Sequence, residues 1–293
     1  MLLSMRLYGN LMKEQLKNIR LVVSDIDGTL LTSDNALHHR SQESIQALQR
    51  NNRCDFTLCT GRSFRLIKPL MDFLGIQFPF IFSGGAIYDP ANREVLTDHF
   101  IEAETINAVR HFAQERGLGL IAHTSQCMLC MLNDADWHRV TEIEWIQGKS
   151  TDHAIRVDTI QADNKKPIIR FDIFSEDQPL SAAFLQVCHI FPQLHAVQMS
   201  RSIELTPVGV NKGSALKQLA EMLNISLANI MAIGDSLNDL TLLQAAGVGV
   251  AMATAPDALK EIADIIVPPS DEGGFADAIE LVSFFSEKYL YKN

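Results

Sequence analysis

Short apolar runs alternate along the chain with segments of helical periodicity. Three runs come early: Arg20 to Ser24 (RLVVS), Asp55 to Thr60 (DFTLCT) and Pro79 to Ser83, which ends in Gly84-Gly85. Three come late: Ile230 to Gly234, Val248 to Met252 and Ile265 to Val267. Helical patterns follow the first two runs, around Ser41 to Arg50 and Ser63 to Leu74. Strands that are apolar throughout and separated by helices predict a parallel sheet with helices on both faces, an α/β core.

Between these halves the texture changes. A helix is expected over roughly Ala103 to Arg116, and strands over Leu118 to His123, Met128 to Leu132 and Ile168 to Phe174. A helix near Leu180 to His189 and a strand near Ala196 to Met199 complete the stretch. Runs of strand and helix in this order read as an α+β unit inserted into the core. The expected division is an N-terminal extension over 1–17, a core formed by 18–90 and 200–293, and an inserted domain over 91–199. The extension, MLLSMRLYGNLMKEQLKN, has no continuous apolar segment and no small-residue cleavage pattern, so it is read as a loosely packed or fraying end rather than a signal peptide.

Composition narrows the classes. Apolar residues make up 47% of the 293 positions, enough for a substantial core. With 25 basic against 35 acidic side chains the formal charge is −10, so no nucleic-acid footprint is expected and an anionic ligand must be captured by local groups. No apolar run reaches the length of a membrane span, and Ala245 to Ala255 reads as a buried strand with its flanks. The five cysteines form no framework. Cys127 and Cys130 make a lone CxxC without a second ligand pair, and are read as buried thiols rather than a zinc site. A cytoplasmic protein, monomeric or a small homo-oligomer, is the expectation.

Ligands of an open parallel sheet bind beyond the carboxyl ends of its strands. The first run leads into Asp25-Ile26-Asp27-Gly28-Thr29 and the second ends in Thr60-Gly61-Arg62. A helix start carries Asn211-Lys212-Gly213-Ser214, and the next run ends in Gly234-Asp235-Ser236-Leu237-Asn238-Asp239. Phosphoryl transfer to a carboxylate needs such a set, because two anions must approach each other and cations must neutralise them. Asp25 is ionised without a base to activate it and is the candidate nucleophile. Asp27 is placed to protonate the leaving alkoxide and later to take a proton from water. Gly28 permits a tight turn and close approach, Thr60 offers a hydroxyl, Lys212 a fixed charge, and Asp235 with Asp239 complete a Mg²⁺ site. An EF-hand reading of the first motif fails, since Leu30 and Ala36 stand where Gly and Glu are required.

Together D-I-D-G-T-L-L, T-G-R, N-K-G-S-A-L and G-D-S-L-N-D resemble the haloacid dehalogenase superfamily, and within it the Cof-type sugar-phosphate phosphatases. The resemblance spans about Leu21 to Ile279 and implies a Rossmann-like core with a C2-type cap. It implies Asp25 as nucleophile, Asp27 as general acid/base, Thr60 and Lys212 as phosphate ligands, and Asn238 as a donor near the phosphate. Mg²⁺ is implied at Asp25, the Asp27 carbonyl and Asp235, with Asp239 in support. Asp27 and Thr60 are 33 positions apart and Thr60 and Lys212 are 152 apart, so the cap falls in the second interval. Such a cap would close over the core, exclude water and choose the leaving group. Two motifs depart from the family pattern: Gly84 stands for Asn in Asn-Gly-Ala, and Ala253-Thr254 for Gly-Asn in Ala-Met-Gly-Asn-Ala.

The expected activity is Mg²⁺-dependent hydrolysis of a small phosphorylated metabolite. A phosphomutase or phosphotransferase with the same core, or a weakly catalytic binding protein, remains open at this level. A dehalogenase would leave Asp27 idle, and a receiver domain is too small for this chain. In the insertion His123, Arg139, Arg170 and Asp172 are polar within or beside apolar stretches, and Gly61 with Arg62 beside Thr60 are candidates to meet substrate.

Overall fold

The structure, a computed structural model, describes residues 10–50, 54–96, 99–141, 154–161, 167–175, 179–199 and 201–287. In chain order its first elements are α1 (Asn10–Lys17), β1 (Leu21–Ser24), α2 (His39–Arg50), β2 (Asp55–Leu58) and α3 (Phe64–Leu74). Next come β3 (Phe80–Phe82), β4 (Ala86–Asp89), β5 (Glu94–Val95), α4 (Ala103–Glu115), β6 (Gly119–Thr124), β7 (Met128–Met131) and α5 (Asp134–Thr141). After β8 (Ala154–Arg156), β9 (Ile168–Phe174), α6 (Ser181–Ile190), β10 (Leu194–Gln198) and β11 (Ser202–Pro207) the chain enters α7 (Lys212–Met222). It finishes with β12 (Ile230–Gly234), α8 (Leu240–Ala245), β13 (Val248–Met252), α9 (Asp257–Ile262), β14 (Ile265–Val267) and α10 (Gly274–Glu287).

The chain divides into two compact units. The first runs up to Thr60, takes in Leu74–Phe80 and resumes at Lys212; the second is Gly61–Phe73 with Ile81–Asn211. The first holds a five-stranded parallel sheet ordered β14-β13-β12-β1-β2. β1 is buried at every position, which is why its residues are apolar without alternation. One group of helices, α1, α2 and α10, and another, α7, α8 and α9, flank this sheet. Residues 1–9 of the expected N-terminal extension lie outside the described residues; in the part that is described, α1 packs on α10, and Leu16 and Ile19 are buried. Leu16 lies in α1 and Ile19 just beyond its end, and burying that apolar pair is what holds this part of the chain down.

The third early run, Phe80–Phe82, does not join the parallel sheet. It begins a separate three-stranded sheet ordered β3-β4-β5. The turn after it has Ser83 and Gly84 at φ 46° and 78°, left-handed conformations that fold the chain straight back.

The second unit contains a six-stranded sheet ordered β10-β11-β9-β6-β7-β8. Alternate residues of its strands, among them Leu120, Phe171, Ile173, Ile203 and Leu205, pack with α4 and α6 residues such as Val109 and Val187. The expected boundary at residue 200 shifts, because Ser202–Pro207 pairs with β9 on one side and β10 on the other. Residues 81–90 also belong here, since Phe64 packs on the rings of Phe82 and Tyr88. Cys127 and Cys130 are buried free thiols, and burial pushes Cys130 up to about 12. Among the described residues no helix is long and apolar enough to cross a membrane.

Candidate active site

β1 and β12 end side by side. Ser24 is in register with Ile233, and the Asp25 N–H donates to the Ile233 carbonyl at 2.9 Å. The residues just past both strand ends therefore meet, which is where a parallel sheet exposes unpaired chain to a ligand. Lys212, the first residue of α7, is buried there, and its Nζ donates to Asp25 Oδ1 at 2.8 Å and to Asp239 Oδ1 at 2.5 Å. Asp25, Asp235 and Asp239 each bring a carboxylate oxygen within 4.8 Å of the others.

Local hydrogen bonds fix this arrangement. Asp239 Oδ2 accepts from the N–H of Asp235 at 3.1 Å, and from the N–H and Oγ of Ser236 at 3.0 and 3.2 Å. Ser236 and Asp239 thus form a capping box that shapes the turn after β12. Thr29 Oγ1 donates to Asp235 Oδ1 at 3.0 Å. Gly28, at φ 74°, lies so close to Asp235 that a Cβ would fall 2.4 Å from Oδ2, so the D-x-D-G turn cannot carry a side chain there.

Three carboxylates share one ammonium. Burial, and then the neighbouring carboxylates, hold Asp25 well above the usual carboxylate range in spite of Lys212. Burial and Asp239 push Asp235 up to about 7. Burial opposes the charge on Lys212, but Asp239 and Asp25 outweigh it and hold the ammonium above its ordinary value. The cluster is short of positive charge, and its donors are all oxygen. That is the ligand chemistry a hard divalent cation takes.

The sequence of this chain therefore places five of its candidates together: Asp25, Gly28, Lys212, Asp235 and Asp239. Asp27 is exposed, and its charge acts on both Asp25 and Asp235. Thr60 is buried immediately beyond Cys59, whose N–H donates to Ser24 at 2.8 Å. Asn238 is half-buried, and its Oδ1 accepts from Ser236 Oγ at 2.7 Å. Gly61 and Arg62 fall in the second unit.

The sequence profile of the haloacid dehalogenase-like hydrolases matches residues 22–279. The chain belongs to that family. It is 28% identical to the phosphatase YwpJ of Bacillus subtilis over 283 residues, covering 88% of this chain and 98% of that protein. A second relative, the 5-amino-6-(5-phospho-D-ribitylamino)uracil phosphatase YwtE of Bacillus subtilis, is 28% identical over 284 residues, covering 89% and 97%. Among solved structures, a haloacid dehalogenase-like hydrolase from B. subtilis superposes with a TM-score of 0.78 at 25% identity, covering 89% of this chain and 99% of that one.

Some residues of this hydrolase had no role assigned from sequence. Thr29 stood inside the first motif, and nothing in the linear pattern says that its hydroxyl reaches Asp235. Ser236 carried a readable signal, a Ser three positions before an Asp at a helix start. Cys59 is buried where Lys212, Asp239 and Asp25 all act on it, and burial raises its thiol well above the usual value. Glu204 joins His123, Arg170 and Asp172 on one face of the second unit's sheet. Its signal was the alternation in S-I-E-L-T-P. The side chain of Arg139 lies outside the described residues.

Proposed function

We propose that this hydrolase is a phosphatase that cleaves phosphate monoesters of small metabolites, sugar phosphates or related esters, with Asp25 as nucleophile and Mg²⁺ as cofactor. The observation that carries the reading is the meeting of Asp25, Asp235, Asp239 and Lys212 at the ends of β1 and β12. Lys212 holds Asp25 Oδ1 and leaves its second carboxylate oxygen to attack phosphorus. As that P–O bond forms, the ester P–O bond breaks, and Asp27 gives its proton to the departing alkoxide. In the second half Asp27 takes a proton from water, the water oxygen bonds to phosphorus, and the bond to Asp25 breaks to release phosphate. Thr60, Asn238 and the ammonium of Lys212 are assigned to the phosphate oxygens.

Asp25, the carbonyl of Asp27 and Asp235 would hold the metal. Asp239, with one oxygen on Lys212 and the other taking three donors, serves as the support behind them. When bound, Mg²⁺ supplies the positive charge this cluster lacks and screens carboxylate from phosphate. The leaving group is assigned to residues of the second unit, Gly61 and Arg62 first. The substrate class draws support from relatives that act as phosphatases, one of them on a ribitylaminouracil phosphate.

The test is phosphate release from a panel of sugar phosphates, nucleotides and an aryl phosphate, comparing wild type with Asp25→Asn in Mg²⁺ and in EDTA. Release that requires both Asp25 and Mg²⁺ is expected. A folded, Mg²⁺-binding protein that frees no phosphate from any ester would overturn hydrolysis and favour transfer to another acceptor.

A further inference from the structure

The six-stranded sheet has one apolar face and one that carries charge. Register places His123 opposite Arg170 and Glu204 opposite Asp172. The residues alternating with them enter the apolar core, so these four share the other face. Like charges directly opposite one another destabilise a sheet, and Asp172 with Glu204 is such a pair. Arg170 answers both. Its Nη2 donates to Asp172 Oδ2 at 2.6 Å, and its Nη1 stands 3.8 Å from Glu204 Oε2. His123 Nε2 lies 2.8 Å from the same Asp172 oxygen.

These partners would be enough to hold the strands together. Arg170 makes one contact more: Nη1 donates to the carbonyl of Gly61 at 2.8 Å. The next carbonyl, that of Arg62, accepts the N–H of Ser83 at 2.9 Å. Both peptide carbonyls that flank the Arg62 side chain are therefore tied within the second unit. The approach is close: a Cβ on Gly61 would fall 2.9 Å from Arg170 Nη1. Arg170 is only 4% exposed, and none of the chemistry assigned above uses it.

We propose that Arg170 is a positioning residue: its guanidinium, oriented by Asp172, Glu204 and His123, holds the Gly61 carbonyl and so sets the turn that presents Arg62 to the leaving group. The proposal rests on the phosphatase reading and on the assignment of Arg62 to substrate. It makes specificity depend on a buried ion cluster that never touches the reacting atoms. Arg170→Lys keeps the charge, but a single ammonium cannot reproduce a two-pronged fork between Asp172 and Gly61.

The experiment is a double-mutant cycle on kcat/KM with the best ester of the panel, combining Arg170→Lys with Arg62→Ala and following melting in parallel. A 1 Å misplacement of a binding group can lower activity by about 10- to 100-fold, and a loss of that order is expected for Arg170→Lys alone. In the Arg62→Ala background the same change should alter kcat/KM by less than about twofold, because coupled residues are not additive. Equal losses in the two backgrounds would overturn the proposal, as would no loss in Arg170→Lys. If Arg170→Lys does not fold, Glu204→Gln, which keeps the Asp172 pair, takes its place in the cycle with the same two outcomes. Asp25→Asn separates the failures. If that variant retains turnover, the reading of the active site is wrong; if it is inactive and the cycle is additive, only the role of Arg170 is wrong.

Discussion

Each unit buries a cluster of charge, and the two clusters are built to opposite rules. In the first, Asp25, Asp235 and Asp239 share the single ammonium of Lys212, and both Asp25 and Asp235 are held above their ordinary values, chiefly by burial. In the second, burial works to raise Asp172, yet Arg170 and His123 overcome it and hold its carboxyl well below the usual range. A buried carboxylate that resists ionisation lacks a cation, and one that ionises readily has its cation in place. The first cluster is short of positive charge, whereas in the second Asp172 has its guanidinium in place, with His123 Nδ1, Arg170 Nε and Asp172 Oδ1 buried without hydrogen-bond partners among the described residues.

Removing the cation from each cluster gives the largest effect and the sharpest contrast. Lys212→Met leaves three carboxylates together, and Arg170→Met leaves Asp172 facing Glu204 across two paired strands. Breaking a buried ion pair by deleting one partner costs about 3–5 kcal/mol, and both variants should lose stability of that order in urea titrations. Millimolar Mg²⁺ should restore part of the loss in Lys212→Met and none in Arg170→Met. Equal recovery, or none in either, would erase the distinction between the clusters.

How far these clusters were legible from sequence follows from their geometry. The first sits at strand ends, where residues adjacent in sequence are adjacent in space, so D-I-D-G and G-D-S-L-N-D announced it as contiguous motifs. The runs β12, β13 and β14 carried no alternation to confuse them, and their limits were readable from apolarity alone. The second cluster is assembled from three strands, with Glu204 and His123 each brought to β9 by pairing across the sheet. Its members are polar residues scattered over three apolar runs, Arg170 and Asp172 sharing one, and one sequence does not state which runs pair. Phe80–Phe82 failed for a similar reason: its composition fits a central parallel strand, but the turn at Ser83-Gly84 decided its partner. Ser202–Pro207 was missed because its alternation began where the insertion was expected to have ended.

A smaller effect of opposite sign tests the charge shortage itself. Asp235→Asn removes a carboxylate that is raised to about 7, and an amide oxygen can still accept from Thr29. The folded pKa lies above the unfolded one, so the ionised group opposes folding increasingly as pH rises from about 4 to about 7. In EDTA at pH 8 the variant should be more stable than wild type by about 2 kcal/mol, allowing for partial screening. Mg²⁺ should raise the melting temperature of wild type, by binding only the folded state, and raise that of Asp235→Asn much less. A variant that melts below wild type in EDTA would show that Asp235 is satisfied without a cation.

The smallest expected effect is the acid response of the second cluster. Burial, and then the adjacent Arg170, hold His123 below its ordinary value, so as pH falls the unfolded chain takes up the proton, near pH 6.5, before the folded chain does. The unfolded state binds the extra proton, and stability is lost as pH falls through about 6.5 toward the folded value. Asp172 works in the same direction but lower: its contribution is complete above about pH 3.9 and disappears as pH falls through its depressed folded value. Unfolding free energy should therefore decline through His123 as pH falls below about 6.5. His123→Gln should flatten that first step and leave the second, below pH 4, in place. If the variant keeps the wild-type slope between pH 6.5 and 5.5, burial and Arg170 do not hold the ring below its ordinary value, and the contrast with the first cluster loses that support.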